Sequence, residues 1–415
     1  MGAQRADVVI IGAGFTGLST AWQLIQRHPQ LGVVVLEARH VGAGASGRNG
    51  GMALHWLHGP ELEDEALCRR VWSVTDGAID ELDALIQRLR AGGATIRWTR
   101  DGCLEAVTDG RRAASAHRDA ERLQAWGVPV RWVEGAELRA RVDAVGVVGG
   151  TFDPSAGQLH GLDLLVALAA ALEAAGVRIC EDSAVVRIEE GREHAVHTAD
   201  GSVRAPAMVL ATNGYTPSLG YFRSGMFPLL SHVFATAPRD AAWWAERGWG
   251  ALSGFSDDLD RIAYAGRSAD GRLVFGGGSN AAYAYQYGNR TAFRGSAEEG
   301  QRAIEARFRH YFPRVDAEIT HRWSGTLGIT LDRVCSMGVR GDHRNVYYAL
   351  GYSGHGVVLA NLAGRVLADL YDDHHEPWRD LPFYQRRLWG LPPEPLRWLG
   401  YQAYTRLTGR SPRRR

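Results

Sequence analysis

A glycine motif near the N-terminus constrains the fold of this chain more than any other feature. Gly12, Gly14 and Gly17 follow a short β-branched run, residues 7–11, and open a segment of helical character, residues 15–27. In such a motif the first glycine permits a tight turn, the second lets the backbone approach a pyrophosphate, and the third lets helix and strand pack closely. A phosphate there meets free N–H groups and the positive end of the helix dipole. The motif predicts a dinucleotide-binding site, and the alternative is a glycine-rich turn without a ligand.

Glu37 strengthens this prediction by its position. A second strand is expected over residues 33–36, and Glu37 follows it directly, 20 residues after Gly17. A strand, a glycine turn, a helix and a second strand in this order form a right-handed βαβ unit. At the end of the second strand a carboxylate accepts hydrogen bonds from ribose hydroxyls, and it disfavours a 2′-phosphorylated nucleotide.

A second glycine-rich segment, residues 42–51, follows shortly after the second strand. Its small residues would let the backbone lie against a bulky flat ligand. Ser46, Arg48 and Asn49 supply donors for phosphate or ring oxygens. The first motif is common to NAD and FAD proteins, whereas this second segment favours FAD. The alternative interpretation is a flexible loop.

Length and composition limit the possible classes of protein. The chain has 415 residues, of which 45% are hydrophobic and 22% charged, which is typical of a globular protein with two domains. The net charge of +1 makes a broad nucleic-acid-binding surface unexpected. No membrane span is predicted, because the longest apolar candidate, residues 162–177, contains Asp163 and Glu173. The N-terminus does not fit a secretory signal, so a cytoplasmic location is expected.

The sequence contains no lysine, so all 47 basic residues are arginine. This absence excludes a Schiff-base lysine, a pyridoxal phosphate anchor, a Walker-A lysine and a lysine general base. Cys68, Cys103, Cys180 and Cys335 lie far apart and form no CxxC pair. We expect free thiols in a reducing compartment, and we predict no metal site.

The order of predicted elements indicates an α/β fold with two domains. Strands alternate with helices at both ends of the chain, and sheet-like sequence lies between them. The elements include a helix over residues 75–89 and a strand over residues 185–189. The predicted boundaries are 1–90, 150–222 and 323–390 for a discontinuous nucleotide-binding domain, 91–149 and 223–322 for a second domain, and 391–415 for a C-terminal helix with an Arg-rich tail.

Several segments, taken in order, resemble one enzyme superfamily. They are residues 7–19, 37–39, 45–51, the strand containing Val185, residues 209–215, residues 323–325 with Thr330 and Asp332, and residues 351–357. The chain resembles the glycine oxidase, D-amino-acid oxidase and sarcosine oxidase superfamily of FAD-dependent amine oxidoreductases, and within it the gamma-glutamylputrescine oxidoreductase-like branch. The resemblance implies a mixed α/β fold, with a Rossmann-like FAD-binding domain of the glutathione-reductase type and an antiparallel-sheet substrate domain.

The resemblance also implies which residues bind FAD. The first motif and the acid would hold the ADP half, Val185 would lie against adenine, and residues 211–213 would pass near the pyrophosphate or ribose. The turn at residues 354–357 precedes a helix whose N-terminus would stabilise negative charge at the pyrimidine edge of the flavin. The full predicted set is Gly12, Gly14, Phe15, Thr16, Gly17, Glu37, Ala38, Arg39, Ala45, Ser46, Arg48, Asn49, Gly50, Gly51, Met52, Val185, Ala211, Thr212, Asn213, Gly325, Leu327, Gly354, His355, Gly356 and Val357. No cysteine matches the covalent flavin cysteine of the sarcosine oxidase branch, so non-covalent FAD is expected.

One departure from the family pattern concerns the substrate. The resemblance implies an arginine two residues after Gly325 that pairs with a substrate carboxylate, and Leu327 stands there in this chain. The missing clamp favours an amine whose reacting carbon bears no carboxylate. Arg48, Arg261 or Arg267 could supply an anion site instead, and surface or cofactor-binding roles for them stay open.

The implied reaction is oxidation of a C–N bond. A neutral primary or secondary amine would transfer a hydride to flavin N5, and the imine would be hydrolysed to an aldehyde. Reoxidation by O2 with formation of H2O2 is expected. The lysine that promotes it in sarcosine oxidases is missing, so another electron acceptor stays open. The candidate catalytic and pocket residues are Met52, His55, Tyr264, Leu327, Tyr352 and His355, and for all but Leu327 the alternative is an ordinary structural position.

Two other functions are compatible with the sequence. The first is a flavin dehydrogenase or monooxygenase that acts on a non-amine. The second is a flavin-carrying subunit of a larger complex, with the aromatic C-terminal segment and the arginines at 413–415 as a docking surface. The oligomeric state and the identity of the amine stay open, and polyamine derivatives, N-methyl amines and aminophosphonates all fit.

Overall fold

The structure, a computed structural model, describes residues 2–57, 60–291 and 297–408. The helices in these ranges are α1 (Phe15–Arg27), α2 (Glu65–Ala91), α3 (Gly110–Ala125), α4 (Gly135–Arg141), α5 (Gly161–Ala174), α6 (Ala241–Glu246), α7 (Glu298–Tyr311), α8 (Gly356–Tyr371) and α9 (Leu396–Thr408). The strands in the same ranges are β1 (Ala3–Arg5), β2 (Val8–Ile11), β3 (Val33–Leu36), β4 (Met52–Ala53), β5 (Trp98–Thr99), β6 (Cys103–Val107), β7 (Arg131–Val133), β8 (Gly149–Asp153), β9 (Gly157–Leu159), β10 (Arg178–Cys180), β11 (Arg187–Glu189), β12 (His194–His197), β13 (Ser202–Ala205), β14 (Ala207–Leu210), β15 (Phe227–Thr236), β16 (Gly254–Asp257), β17 (Ala263–Arg267), β18 (Leu273–Gly277), β19 (Tyr283–Ala284), β20 (Ile319–Ile329), β21 (Ser336–Arg340) and β22 (Val346–Leu350).

A six-stranded central sheet contains the strand that precedes the N-terminal glycine motif. The strand order is β10-β3-β2-β14-β22-β21, and all neighbours are parallel except the last pair. β2, β3 and β14 are apolar and buried at every position, which is the pattern of strands covered on both faces. In open sheets of this kind ligands bind beyond the carboxyl ends of the strands.

Helices cover one face of the central sheet, and a smaller sheet covers the other. α1, α2, α5 and α8 contribute to the apolar core on the helical side. The four-stranded sheet β1-β13-β12-β11 covers the opposite face, where Val9, Val34 and Met208 share an apolar layer with Val196 and Val203. Burial on both sides stabilises the sheet and leaves its strand ends as the accessible edge.

α1 and α8 lie side by side on the helical face. A Cβ atom added at Gly364 of α8 would lie 2.5 Å from the carbonyl carbon of Ser19 in α1, so the approach of the two helices requires glycine there. Ser19 Oγ donates to Asn361 Oδ1 at 2.8 Å across the same interface. Because each helix follows a parallel strand of the sheet, both N-termini face the carboxyl edge.

A second large sheet has nine strands in the order β19-β15-β18-β17-β16-β6-β8-β7, with β20 paired to β15. Its neighbours are antiparallel apart from the parallel pair β6–β16. One face packs on α4, α6 and α7 through a core rich in aromatic rings, among them Phe234, Phe275 and Phe308. A small antiparallel sheet, β4-β9-β5, packs on the central core.

α2 is longer than the sequence predicts. The helix predicted over residues 75–89 begins at Glu65, because Asp64 caps it and accepts a hydrogen bond from the Leu67 N–H at 2.9 Å. No helix in the described ranges combines the length and the apolar character needed to cross a membrane.

The strand predicted over residues 185–189 is shorter than expected and begins at Arg187. The N–H groups of Asp182 and Ser183 donate to the carbonyls of Arg39 and Glu37 at 2.7 Å each. These bonds hold the preceding segment as a loop along the end of β3. Val185 therefore lies in this loop and not in the strand.

Two of the predicted domain boundaries fall inside strands of the second large sheet. The boundary at 149/150 lies in β8, and the boundary at 322/323 lies in β20, which pairs with β15 along its length. Main-chain pairing continues across both positions because a ladder depends on backbone groups and not on local composition. The division into two domains stays a prediction. The predicted arginine tail at 413–415 lies outside the described residues.

Candidate active site

Parts of the central sheet and of the second large sheet enclose a cavity of about 1390 Å³. Pockets for small ligands usually have volumes of about 300–1000 Å³, so this cavity has room for a dinucleotide and a substrate together. Its wall contains every residue that the sequence predicts for cofactor binding or catalysis except Gly17. The structure thus brings the predicted residues together, while their individual roles stay predictions.

The glycine turn after β2 has no space for side chains. Gly12 has a φ of +107°, and an added Cβ would lie 2.9 Å from the Ala211 carbonyl oxygen. A Cβ at Gly14 would lie 2.8 Å from Ser46 Oγ. A Cβ at Gly17 would lie 1.9 Å from the Gly12 carbonyl oxygen, so Gly17 packs α1 against the turn and does not reach the cavity. The turn offers the close backbone approach that a pyrophosphate requires.

Glu37 is held at the entrance of this turn. One carboxylate oxygen, Oε2, accepts a hydrogen bond from the Ala13 N–H at 2.9 Å, and the other, Oε1, accepts one from the Arg39 N–H at 3.1 Å. An ionised carboxylate has about four lone-pair sites, so both oxygens can accept further bonds. The position and chemistry of Glu37 fit the hydroxyls of a ribose.

The second glycine-rich segment has a defined conformation, in contrast to the flexible loop of the alternative interpretation. Ser46 Oγ accepts a hydrogen bond from the Phe15 N–H at 3.0 Å, and Asn49 Oδ1 accepts one from the Gly51 N–H at 2.8 Å. Gly51 has a φ of +81°, and an added Cβ would lie 2.1 Å from the Leu159 carbonyl oxygen. The segment therefore presents backbone to the cavity, as a flat ligand requires.

Arg48 connects this segment to β20. Its Nε donates to the Ala43 carbonyl at 2.7 Å, and its Nη1 donates to the Ser324 carbonyl at 3.1 Å. In return, Trp323 Nε1 donates to the Arg48 carbonyl at 2.9 Å. These bonds place Gly325 and the following residues of β20 beside the glycine segment.

A turn with left-handed backbone leads from β22 to α8. Ser353 has a φ of +51° and Gly354 a φ of +104°. The turn brings His355, Gly356 and Val357, at the beginning of α8, to the cavity wall. The first-turn N–H groups and the positive end of the helix dipole can stabilise an anionic group there.

Tyr352 connects the beginnings of α1 and α8. Its side chain is buried, and its hydroxyl lies 2.7 Å from Thr16 Oγ1. Burial raises the pKa of Tyr352, so the hydroxyl stays protonated. The hydrogen bond to Thr16 links the beginnings of the two helices, and the catalytic role of Tyr352 stays a prediction.

A row of residues across the second large sheet forms the opposite wall. Glu105 of β6 pairs with Thr151 of β8 and with Ser256 of β16, and Ser256 pairs with Tyr264 of β17. All four line the cavity. Burial raises the pKa of Tyr264 to about 12, so this hydroxyl is also protonated near neutral pH.

The sequence prediction missed Glu105 and Ser256. A signal for Glu105 was present, since it is the charged residue in the otherwise apolar strand Cys103–Val107. A lone acid in such a strand is typical of a side chain that points away from the apolar core. The pairing of β6 with β16 joins distant segments, so no local pattern indicates Ser256.

Met52, Tyr264 and Leu327 form an apolar part of the wall beside the glycine segment. A Cβ added at Gly50 would lie 2.4 Å from the Tyr264 ring, and one added at Gly254 would lie 2.9 Å from Met52 Cε. Leu327 lies in β20 and is half-buried. These side chains can keep water away from a substrate that binds next to the cofactor site.

His55 also lines the cavity, but its ring is enclosed. Its Nδ1 lies 2.7 Å from Asp153 Oδ2, and its Nε2 lies 3.1 Å from Asp76 Oδ1. Trp72 stacks on the ring at 3.6 Å between centroids. Burial raises the pKa of Asp153, but the hydrogen bond and charge of His55 together with the hydrogen bonds from Ser155 outweigh this effect, and the net pKa is lowered. Both ring nitrogens are thus engaged by carboxylates, and the role of His55 as a pocket residue stays a prediction.

Comparison with curated proteins finds relatives that match most of the chain. A probable oxidoreductase, OrdL, of Haemophilus influenzae is 30% identical over 383 residues, which cover 88% of this chain and 83% of that protein. The gamma-glutamylputrescine oxidoreductase of Escherichia coli is 29% identical over 404 residues, which cover 91% of this chain and 87% of that protein. The resemblance inferred from the motifs is confirmed.

Solved structures agree with the predicted fold class. The crystal structure of glycine oxidase from Geobacillus kaustophilus superimposes with a TM-score of 0.77 at 24% identity and covers 93% of this chain and 100% of that chain. The family model described as FAD dependent oxidoreductase matches residues 7–370. The glycine turn after β2, Glu37 and the second glycine-rich segment fit FAD, the cofactor of this family. The chain therefore belongs to the FAD dependent oxidoreductase family.

Proposed function

We propose that this chain catalyses the FAD-dependent oxidation of a primary or secondary amine whose reacting carbon bears no carboxylate. The product is an imine, which water hydrolyses to an aldehyde, and O2 reoxidises the enzyme with formation of H2O2. The proposal depends on Leu327, a half-buried apolar side chain in the cavity wall at the position where the family resemblance implies a carboxylate-binding arginine.

Two nearby arginines do not replace the missing clamp. Arg48 uses Nε and Nη1 on backbone carbonyls. Arg267 lies outside the cavity wall, and burial lowers its pKa. A carboxylate on the reacting carbon would meet Leu327, and it would lose hydration without gaining a charged partner.

Different residues of the cavity wall stabilise charge, orient the amine and exclude water. When bound, FAD supplies the acceptor for the two electrons of the substrate C–N bond. The N-terminus of α8 stabilises negative charge at the cavity wall. The protonated Tyr264 hydroxyl orients the amine, and Met52 and Leu327 exclude water from the reacting carbon. The amine reacts in its neutral form, so no side-chain base is required.

Non-covalent binding of FAD is part of the proposal. Cys103 contributes to the cavity wall, but burial raises the pKa of its thiol well above the ordinary value. A covalent bond to flavin needs the thiolate, which this environment disfavours. Acid precipitation should release all FAD into the supernatant, and flavin retained on the precipitated protein would contradict this part.

The relatives support an amine or amino acid as the substrate class. They include a gamma-glutamylputrescine oxidoreductase and a glycine oxidase. Because Leu327 cannot pair with a carboxylate on the reacting carbon, we favour amines over amino acids as the substrates. The predicted cytoplasmic location stays a prediction.

Anaerobic mixing of the purified flavoprotein with a panel of amines tests the proposal. Polyamine derivatives, N-methyl amines and aminophosphonates should include compounds that bleach the visible flavin band, and the aldehyde product identifies the bond that is oxidised. Peroxide formed on admission of air supports O2 as the acceptor. Bleaching by non-amines alone would contradict the proposal, and bleaching by amines without peroxide in air would contradict its oxidase part.

A further inference from the structure

Arg261 is a buried cation in the cavity wall with one unused donor. It lies in the connection between β16 and β17, and its side chain is only 8% exposed. Its Nε donates to Asn280 Oδ1 at 2.9 Å, and its Nη1 donates to Asp260 Oδ2 at 2.8 Å. Its Nη2 is buried and has no hydrogen-bond acceptor among the described residues.

The C-terminal helix holds the Arg261 side chain in place. The guanidinium carbon lies 5.2 Å from the ring centroid of Tyr404 and 5.9 Å from that of Tyr401. The Tyr404 hydroxyl donates to Asp260 Oδ1 at 2.7 Å. Asn280, which accepts a hydrogen bond from Arg261, is itself held by α9, because its Nδ2 donates to the Thr405 carbonyl at 2.7 Å. Arg261 is therefore fixed in orientation before any ligand arrives, which lowers the entropic cost of binding one.

Two guanidinium groups share the carboxylate of Asp260. The Asp260 carboxylate faces Arg261 and also Arg333, whose Nη2 lies 3.4 Å from Asp260 Oδ1. Asp332, a second acid of the cavity wall, pairs with Arg386. One carboxylate thus balances two guanidinium groups, and the field favours a further anion.

A buried charged donor without an acceptor is costly, and most such groups in folded proteins find a partner. A ligand carboxylate would supply the acceptor that Nη2 lacks and would form a charge-assisted hydrogen bond. If Arg261 had only a structural role, nothing would compensate for the desolvation of its Nη2 donor. The geometry therefore indicates a ligand group and not only a packing role.

We propose that Arg261 binds a carboxylate on the amine substrate at a distance from the reacting C–N bond. The proposal rests on the proposed function. Arg261 lies three residues before Tyr264, and a chain segment of this length spans at most about 10 Å. Leu327 rejects a carboxylate on the reacting carbon, and Arg261 accepts one further along the molecule. The substrate class is a linear amine with a distal carboxylate.

Two matched amines test the proposal on the complete holoenzyme. ε-Aminocaproate and n-hexylamine differ by the distal carboxylate. We expect the wild type to favour the carboxylate-bearing amine in kcat/KM by at least about tenfold, the value of one charge-assisted hydrogen bond, through KM more than kcat. Equal kcat/KM for the two, repeated over a series of linear ω-amino acids of different length, would overturn the proposal without any variant.

Substitutions then assign the preference to Arg261. Arg261→Met should reduce the kcat/KM ratio of the two amines toward one, and Arg261→Lys should restore part of it because the charge returns without the planar fork. The control is Arg247→Met. Arg247 is also stacked on an aromatic ring, at 4.0 Å from that of Trp243, and paired with Asp316, but it lies outside the cavity wall. An unchanged ratio in Arg261→Met, or an equal loss in Arg247→Met, would overturn the assignment.

A binding measurement separates this proposal from the proposed function. Calorimetric titration with caproate needs no turnover, and we expect a Kd at least about tenfold weaker for Arg261→Met than for the wild type. If no amine bleaches the flavin but caproate binding depends on Arg261, the proposed function fails and the anion site stands. If amines bleach the flavin but the wild type and Arg261→Met bind caproate equally or not at all, the anion site fails.

Discussion

The cofactor side and the substrate side of the cavity are made from different parts of the chain. On the cofactor side the wall is backbone, and Gly12, Gly14 and Gly51 leave no space for a Cβ atom. On the substrate side the wall is made of side chains, such as Tyr264 and Leu327, that stand on strands of the second large sheet. A wall made of backbone determines the shape that the cofactor must fit, whereas a wall made of side chains determines which substrate groups find a partner. The difference implies that cofactor affinity and substrate choice respond to different substitutions.

The largest effect is expected from Gly12→Ala. Gly12 has a φ of +107°, and the added Cβ would lie 2.9 Å from the Ala211 carbonyl oxygen. Strain and displacement of the turn should weaken FAD binding by about a hundredfold. The measurement is the Kd of the reconstituted apoprotein for FAD.

Gly77→Ala is the matched control for this change. Gly77 lies inside α2, and an added Cβ meets no atom within 4 Å. This variant should keep FAD and raise the free energy of unfolding by about 0.5–1 kcal/mol, because alanine is the better helix former. Equal FAD affinity in Gly12→Ala and Gly77→Ala would contradict the backbone account of the cofactor side.

The next largest effect is expected from Leu327→Arg, which places a carboxylate partner at the missing clamp. The ratio of kcat/KM for 2-aminoheptanoate to that for n-hexylamine should rise by about tenfold to a hundredfold, since a charge-assisted hydrogen bond becomes available. Leu327→Met keeps the apolar volume and should leave this ratio near the wild-type value. If Leu327→Arg lost FAD instead of changing the ratio, position 327 would belong to the cofactor side.

The same contrast explains how much of the molecule could be predicted from sequence. The glycine turn and Glu37 were predictable because a strand, a turn and a helix follow one another within a short stretch. Arg261 could be named only as one of three arginines. The guanidinium group of Arg261 packs against Tyr404 of α9, which is far away in sequence. No local pattern therefore indicates that Arg261 Nη2 is a buried donor. Ser256 depends on the pairing of β6 with β16, which tertiary packing determines. Local sequence patterns therefore indicate the backbone wall on the cofactor side. The side-chain wall on the substrate side depends on how distant strands pair, which a local pattern does not show.

Arg97 joins α5 to the turn before β18, and its partner Asp163 gives a pH-dependent prediction. Arg97 Nε donates to Asp163 Oδ2 at 2.7 Å at the start of α5, and Arg97 Nη1 donates to Asp270 near β18 at 2.8 Å. Burial raises the pKa of Asp163, but the hydrogen bonds from Arg97 and His160 outweigh it and hold this pKa far below its usual range. A lowered carboxyl pKa stabilises the fold above the unfolded value, near pH 4, and this stabilisation is lost as the pH falls.

Asp163→Asn should therefore lower the free energy of unfolding by about 1–3 kcal/mol at neutral pH, and the difference from the wild type should shrink as the pH falls below about 4. Denaturant titrations at several pH values measure it. Asp80→Asn, at the more exposed pair with Arg100, is the control and should have a much smaller effect. A difference for Asp163→Asn that grows in acid would contradict the sign of the pKa shift.

The smallest effect is expected from Tyr264→Phe. The hydroxyl orients the amine but is not required as a base, so kcat/KM should fall by less than about tenfold. FAD content, measured by absorbance, should match that of the wild type, because Tyr264 belongs to the side-chain wall. Loss of FAD in this variant would show that the two sides are not separable.

The measurement that tests the account most directly compares two amines on the wild-type flavoprotein without oxygen. n-Hexylamine and 2-aminoheptanoate share the reacting amine and the carbon chain, and 2-aminoheptanoate adds a carboxylate to the reacting carbon. The account predicts that n-hexylamine reduces the flavin faster, since Leu327 offers that carboxylate no partner. Faster reduction by either enantiomer of 2-aminoheptanoate would contradict it.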